Sequence, residues 1–150
     1  MVEFKPAKIE ESEILSNLAI ESKGYWGYPK DLLELWRKDL RIEKTYIQRN
    51  IVRTIWLNAE LVGFFALKTE QESELEHLWL RPEFIGKGFG QITFSEILNE
   101  FRKREITSFA IVSDPNAEKF YLNQGAKKIG KVESIPPNRF LPKLRYEVHC

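Results

Sequence analysis

The chain has 150 residues, of which 43% are hydrophobic and 30% charged, with a formal net charge of +1. That length buries a sizeable core in one domain without staples, and the near-neutral balance excludes a bulk electrostatic pull toward nucleic acid or an anionic membrane. The lone Cys150 excludes an internal disulfide, and with only His77 and His149 beside it there is no metal-ligand spacing.

Met1 to Pro6 has no basic segment followed by an apolar one, and no run approaches the roughly 18 apolar residues of a membrane span. The expectation is a cytoplasmic, metal-free, single-domain protein over residues 1–150. Residues 3–8 read as a short strand. Ile14, Leu15, Leu18 and Ala19 then fall at helical spacing behind Ser12, which reads as the N-cap. Two glycines and a proline between Lys23 and Pro29 end that helix, and a second is expected over 30–40, with Leu33, Trp36 and Leu40 on one face.

The middle of the chain is strand-like. Residues 52–58 and 61–68 are β-rich and joined through Asn58-Ala59-Glu60, a hairpin connection. Residues 74–80 form a third strand, stopped by Pro82. Phe94, Ile97, Leu98 and Phe101 mark a long helix ending near Lys103 and Arg104. Phe109 to Val112 reads as a buried strand, Asp114-Pro115-Asn116 as a turn, and 116–124 as a short helix closed by Gly125. Two last strands, 126–134 and 143–149, flank a loop carrying Pro136, Pro137 and Pro142. The central strand–helix–strand unit requires a parallel pair, and the other strands pair antiparallel. The expected class is α+β: a mixed, mostly antiparallel twisted sheet with a central parallel pair and helices on both faces.

Between the third strand and the long helix lie Gly86, Gly88 and Gly90. Glycine opens backbone angles closed to other residues and lets a ligand approach the main chain. The first N–H groups of a helix have no internal partner and favour an anion, so this turn reads as a phosphate or pyrophosphate cradle. It is not a P-loop, because no Gly-Lys-Ser/Thr follows, and the even spacing is not the dinucleotide fingerprint. A tight turn without a ligand is the plain alternative.

The evenly spaced glycines after Leu78-Trp79-Leu80 and Pro82 resemble the acyl-CoA motif of the GNAT superfamily of N-acetyltransferases. Asp114-Pro115-Asn116-Ala117 followed by Phe120-Tyr121 and Gly125 resembles that superfamily's next motif, and the two are in register over residues 74–134. Ser22 to Pro29 is similar to a segment of small bacterial members. The resemblance implies transfer of an acetyl group from acetyl-CoA to a small-molecule or peptide amine by direct attack in a ternary complex. Residue spacing, charge and hydropathy already point to no metal and to no nucleic-acid or membrane partner, and homodimers through the late strands are common in the proteins it resembles. The main chain of Leu78, Trp79 and Leu80 would bond the pantetheine arm. Ile85, Gly86, Lys87, Gly88, Phe89, Gly90 and Gln91 would hold the pyrophosphate. Asn116 would contact the CoA arm and Tyr121 would sit near the sulfur. One position departs: Ile85 stands where the superfamily usually has Arg or Gln, with Lys87 nearby to supply charge. That departure keeps open a non-catalytic acyl-CoA sensor or partner domain of the same fold. An unrelated nucleotide-binding domain would leave the Asn116–Tyr121 segment unexplained.

An alkyl amine has a pKa near 10.4, so about one molecule in a few thousand is neutral at pH 7, and a base helps. Glu74, Glu76 and His77 lie on the strand leading to the thioester, and Glu76 is the first candidate. Its alternative is a surface or salt-bridged carboxylate. His77 points to the opposite face of the strand, which places it with the acceptor or in a packed, hydrogen-bonded setting. Tyr121 is the candidate acid for the departing thiolate, or a helix residue packing on the sheet. Tyr25, Trp26 and Tyr28 lie where the resembled fold overhangs the acceptor; aromatic faces hold a cationic amine there, or close a hydrophobic corner. Arg139 and Phe140, in the proline-bearing loop, are placed to close over the acceptor.

Overall fold

The computed structural model describes residues 1–149; Cys150 lies outside them. Its seven strands are β1 (Val2–Pro6), β2 (Ile51–Leu57), β3 (Glu60–Lys68), β4 (Glu74–Leu80), β5 (Ser108–Val112), β6 (Lys127–Glu133) and β7 (Phe140–Glu147). They make a mixed sheet in the order β1-β2-β3-β4-β5-β7-β6. The helices are α1 (Ser12–Gly24), α2 (Lys30–Trp36), α3 (Lys44–Arg49), α4 (Phe89–Lys103) and α5 (Glu118–Asn123). β4 and β5 are the parallel pair, with Glu74 opposite Ala110 and Leu75 opposite Ile111. Pairs β1–β2, β2–β3, β5–β7 and β6–β7 are antiparallel. This is the α+β architecture that the element order implied. Among the described residues no helix is long and apolar enough to cross a membrane, and no group of three or more His, Cys, Asp or Glu is placed to hold a metal ion.

The chain forms two compact units. The first holds Met1–Leu67 and His77–Gly90. Its β2–β3 hairpin turns on Asn58 (φ 50°) and Ala59 (φ 71°). Two left-handed residues between paired strands match the twist of the hairpin. The core on one face joins Leu15, Leu18 and Ala19 of α1, Trp36 of α2, Ile47 of α3, and Val52, Phe64 and Ala66 of the sheet, with Trp79 packed against it. The other face gathers Ile55, Val62 and Phe84, with Leu80 and Phe89 against them. Adjacent residues of β4, Trp79 and Leu80, therefore serve opposite faces, as a pleated strand requires, and helical segments cover both.

Three local expectations need correction here. Ser12 is not an N-cap: a 3-10 turn, Ile9–Glu11, leads into α1, and Ser12 is its first helical residue. Its buried hydroxyl instead donates to the Ile42 carbonyl at 2.6 Å, while the Ile42 N–H donates to Ser16 Oγ at 2.8 Å. Burying these loop groups makes their hydrogen bonds obligatory, which outweighs a helix cap. The second helix stops at Trp36, short of residue 40, although Leu40 is still buried. Helix α3 has no counterpart in the sequence reading, because six residues with one buried side chain, Ile47, carry no periodicity.

The second unit holds Lys68–Glu76 and the chain from Gln91 onward. Phe94, Ile97 and Phe101 of α4 are buried. Phe101 stacks on Phe109 of β5 at 4.3 Å between ring centroids, and Phe109 stacks on Tyr146 of β7 at 5.5 Å. Pro142, expected in a loop, lies inside β7 opposite Lys131. Pairing with β5 ends at Lys143, and the Pro142 carbonyl accepts the Ser113 N–H at 3.0 Å. Strand β6 closes the sheet; every one of its residues is exposed, and its register shifts between Lys128 and Gly130.

Candidate active site

In the first unit, Pro82 ends β4 and a 3-10 turn, Pro82–Phe84, carries the chain into the glycine turn. The Phe84 and Phe89 rings meet edge to face at 5.4 Å and pin the turn at both ends. Ile85 is extended, and its N–H donates to the Pro82 carbonyl at 3.2 Å. Gly86 (φ 79°) and Gly88 (φ 89°) both take the left-handed backbone, and a β-carbon on either would point into open space. Lys87 between them is exposed. Helix α4 begins at Phe89, so the N–H groups of Phe89 and Gly90 have no helical acceptor behind them. Unhindered space, left-handed glycines, unsatisfied donors and a lysine together fit a pyrophosphate.

The last residues of β4 lie against β3. A β-carbon built on Gly63 collides with the Trp79 carbonyl oxygen and crowds Leu80 Cα. The Arg81 N–H donates to the Val62 carbonyl at 2.8 Å. Gly63 thus sets where the main chain of Leu78 to Leu80 runs, a role that the sequence reading did not assign. A lone glycine inside the apolar run from Leu61 to Leu67 was the available signal.

His77 is packed among Tyr46 (5.7 Å between centroids) and Phe64 (6.2 Å), and its Nδ1 accepts the Trp79 indole N–H at 3.0 Å. Because indole is only a donor, neutral His77 carries its proton on Nε2. The aromatic turn divides. Tyr25 and Trp26 meet edge to face at 5.0 Å and are exposed by 49% and 40%. Tyr28 instead packs on Trp36 at 4.9 Å. Lys23, 6% exposed, holds its ammonium 4.6 Å from the Trp36 ring, 5.4 Å from Tyr28 and 5.9 Å from Trp79. The cation at Tyr28 is therefore supplied by the chain itself, which leaves Tyr25 and Trp26 as the exposed rings of that turn.

In the second unit, Glu74 and Glu76 share one face of β4. Glu76 Oε2 lies 3.7 Å from Lys68 Nζ, and the neighbouring Glu72 pairs with Lys143 at 3.8 Å. Burial raises the Glu74 carboxyl above the ordinary range; repulsion from Glu76 and Glu72 adds to this, and Lys68 and Lys143 oppose it.

Asn116 is held by Asp114, whose Oδ1 accepts from the Asn116 backbone N–H at 2.8 Å and from Nδ2 at 2.9 Å. The other oxygen of Asp114 faces Arg139 Nη2 at 3.7 Å. The Arg139 guanidinium thus ties the proline-bearing loop to Asp114, and Phe140 lies under the Lys131 ammonium at 4.3 Å. Tyr121, on α5, is 6% exposed, with its ring against Phe94 and Phe120. Burial pushes its phenol well above the usual tyrosine range, and the Asp114 carboxylate pushes the same way. Gln91 is exposed on the first turn of α4.

The model of the acetyltransferase (GNAT) domain matches residues 34–134, more than half of the chain. The chain is 27% identical to a spermidine N(1)-acetyltransferase of Thermoplasma acidophilum, over 97% of this chain and 98% of that protein. It is 24% identical to an uncharacterized N-acetyltransferase of Pyropia yezoensis, over 88% of this chain and 74% of that one. Among solved structures, it superposes on the PaiA N-acetyltransferase of Thermoplasma acidophilum in complex with coenzyme A, with a TM-score of 0.79, 21% identity, and coverage of 98% and 99% of the two chains. That last likeness is one of fold. The domain match establishes that the chain belongs to the GNAT family of acetyltransferases.

Proposed function

We propose that this protein transfers an acetyl group from acetyl-CoA to an amine, by direct attack of the amine in a ternary complex. The observation that carries the reading is the glycine turn: left-handed Gly86 and Gly88 face open space at the start of α4. Attack of the amine on the thioester carbonyl forms the new C–N bond, the C–S bond breaks as the intermediate collapses, and CoA leaves as a thiolate. The N–H groups of residues 86–91, with Lys87, take the pyrophosphate in place of the usual Arg or Gln side chain, and Ile85, whose own N–H is held by the Pro82 carbonyl, leads the chain into the turn. The main chain of Leu78, Trp79 and Leu80 orients the pantetheine arm as a strand partner, and Asn116, fixed by Asp114, contacts the CoA arm.

The chemical steps fall to two side chains. Glu76 takes the proton of the amine, directly or through water, and Glu74 next to it on the same face prolongs the relay. Tyr121 donates a hydrogen bond to the sulfur as the thiolate departs, and its raised pKa keeps the phenol protonated for that role. Tyr25 and Trp26 offer exposed ring faces to a cationic acceptor. The similarity to a spermidine N(1)-acetyltransferase makes a small polyamine the first acceptor to try, and a peptide amine the second.

The test is calorimetric titration with acetyl-CoA, with ATP as control, followed by release of CoA thiol in the presence of spermidine. Saturable binding of acetyl-CoA alone and amine-dependent thiol release are expected. A folded protein that ignores acetyl-CoA would sink the reading.

A further inference from the structure

Lys23 is buried in the last turn of α1, where an ordinary lysine would reach water. Removing an ammonium from water is expensive, so the position is informative. Its Nζ lies within 6 Å of three rings, Trp36, Tyr28 and Trp79, which come from α2, from the turn before it and from β4. Aromatic faces attract a cation through their quadrupole, and an isosteric apolar side chain would not be held this way. Trp79 is fixed twice more. Its indole N–H donates to His77 Nδ1 at 3.0 Å, and its carbonyl oxygen is pressed against Gly63. Ring and main chain of one residue are thereby pinned from three sides.

We propose that Lys23 is a positioning residue for acetyl-CoA: its ammonium clamps the Trp79 ring to Tyr28 and Trp36, and so fixes the main chain of Leu78 to Leu80. The proposal rests on the acetyltransferase reading for what that main chain does, and on the cage alone for the clamp. The same cation ties the aromatic turn to β4. Losing it therefore loosens the rim that carries Tyr25 and Trp26 together with the strand that takes the pantetheine arm. Lys23 acts through the Trp79 ring rather than on the reacting groups, so its loss acts on acetyl-CoA affinity before it acts on the chemical step.

Three full-length variants test it. Lys23→Met keeps the length and removes the charge; Lys23→Arg keeps a cation that stacks on rings; Lys23→Ala empties the cage. Expected for Lys23→Met is a changed near-ultraviolet circular dichroism of the tryptophans without ligand, an acetyl-CoA Kd raised about tenfold, and kcat within about threefold. Lys23→Arg restores the Kd to near wild type. In Lys23→Ala, n-propylammonium restores acetyl-CoA binding and n-propanol does not. Wild-type affinity in Lys23→Met, or equal rescue by the alcohol, overturns the proposal. Should Lys23→Ala fail to fold, the Met and Arg pair decides. A wild-type protein that does not bind acetyl-CoA while Lys23→Met alters the tryptophan spectrum condemns the functional reading and the positioning role, and leaves the cage standing. An unaltered spectrum condemns the cage.

Discussion

Gly63 of β3 sits against the carbonyl oxygen of Trp79 on β4 with no room for a β-carbon between them. Any side chain there must push β4 away. Gly63→Ala is expected to cost about 1–3 kcal/mol of stability, the usual penalty of forced overpacking. It should also weaken acetyl-CoA binding by more than about tenfold, or about 1.4 kcal/mol. Gly130→Ala, where a β-carbon meets open space, is the control. Thermal unfolding and titration of both variants check this, and equal behaviour of the two would remove Gly63 from its role.

Gly88 makes a different demand. Its β-carbon would be unobstructed, so the cost of Gly88→Ala is the left-handed backbone, about 1–2 kcal/mol. Gly88→Val adds a branched side chain to the space assigned to the pyrophosphate. It should abolish measurable acetyl-CoA binding while remaining folded by circular dichroism. Normal affinity in a folded Gly88→Val protein contradicts the cradle.

Tyr121 stays protonated across the working range, because burial and Asp114 both raise its pKa. Tyr121→Phe is expected to lower kcat by roughly 100-fold or more, within the range of general acid catalysis. The acetyl-CoA Kd should change little. Steady-state kinetics and titration separate the two, and an unchanged kcat takes the acid role from Tyr121.

Glu74 predicts a pH dependence of stability. Its folded-state pKa lies above the unfolded one, chiefly through burial. The folded state then binds the proton more tightly, so this contribution is present below the unfolded pKa and lost as pH rises through the folded value. Glu74→Gln should leave Tm unchanged near pH 4 and raise it at pH 8, by about 2–4 °C for each kcal/mol relieved. A Tm difference that does not depend on pH would show that burial of the charge is not the cause.

Regular patterns made much of this fold legible. Phe94, Ile97 and Phe101 gave α4 its face, and the Asn58–Ala59 connection gave the hairpin, because both signals are local and repeat along the chain. The glycine turn was visible for the same reason. Ser12 misled because a hydroxyl at a helix start looks like a cap, whereas its partner, Ile42, lies thirty residues on. Lys23 and Gly63 were silent for a related cause: the neighbours that give them meaning, Trp36 and Trp79 in one case and the Trp79 carbonyl in the other, are distant in sequence. Pro142 looked like a loop residue because its missing N–H counts against a strand only where that N–H would be needed.

Among the described residues strand β6 ends the sheet with no strand beyond it, and such an edge is the usual template for runaway association. Ile129 and Val132 on it are exposed and would reward a neighbour that docked there. Lys127, Lys128 and Lys131 sit on the same short segment, and the register slips between Lys128 and Gly130. Two such edges brought together in parallel would stack lysine on lysine and meet out of step. The strand thus acts as a colloidal guard as well as a structural border. The guard is electrostatic, so it weakens in concentrated salt, where the Debye length shrinks to about 3 Å at 1 M.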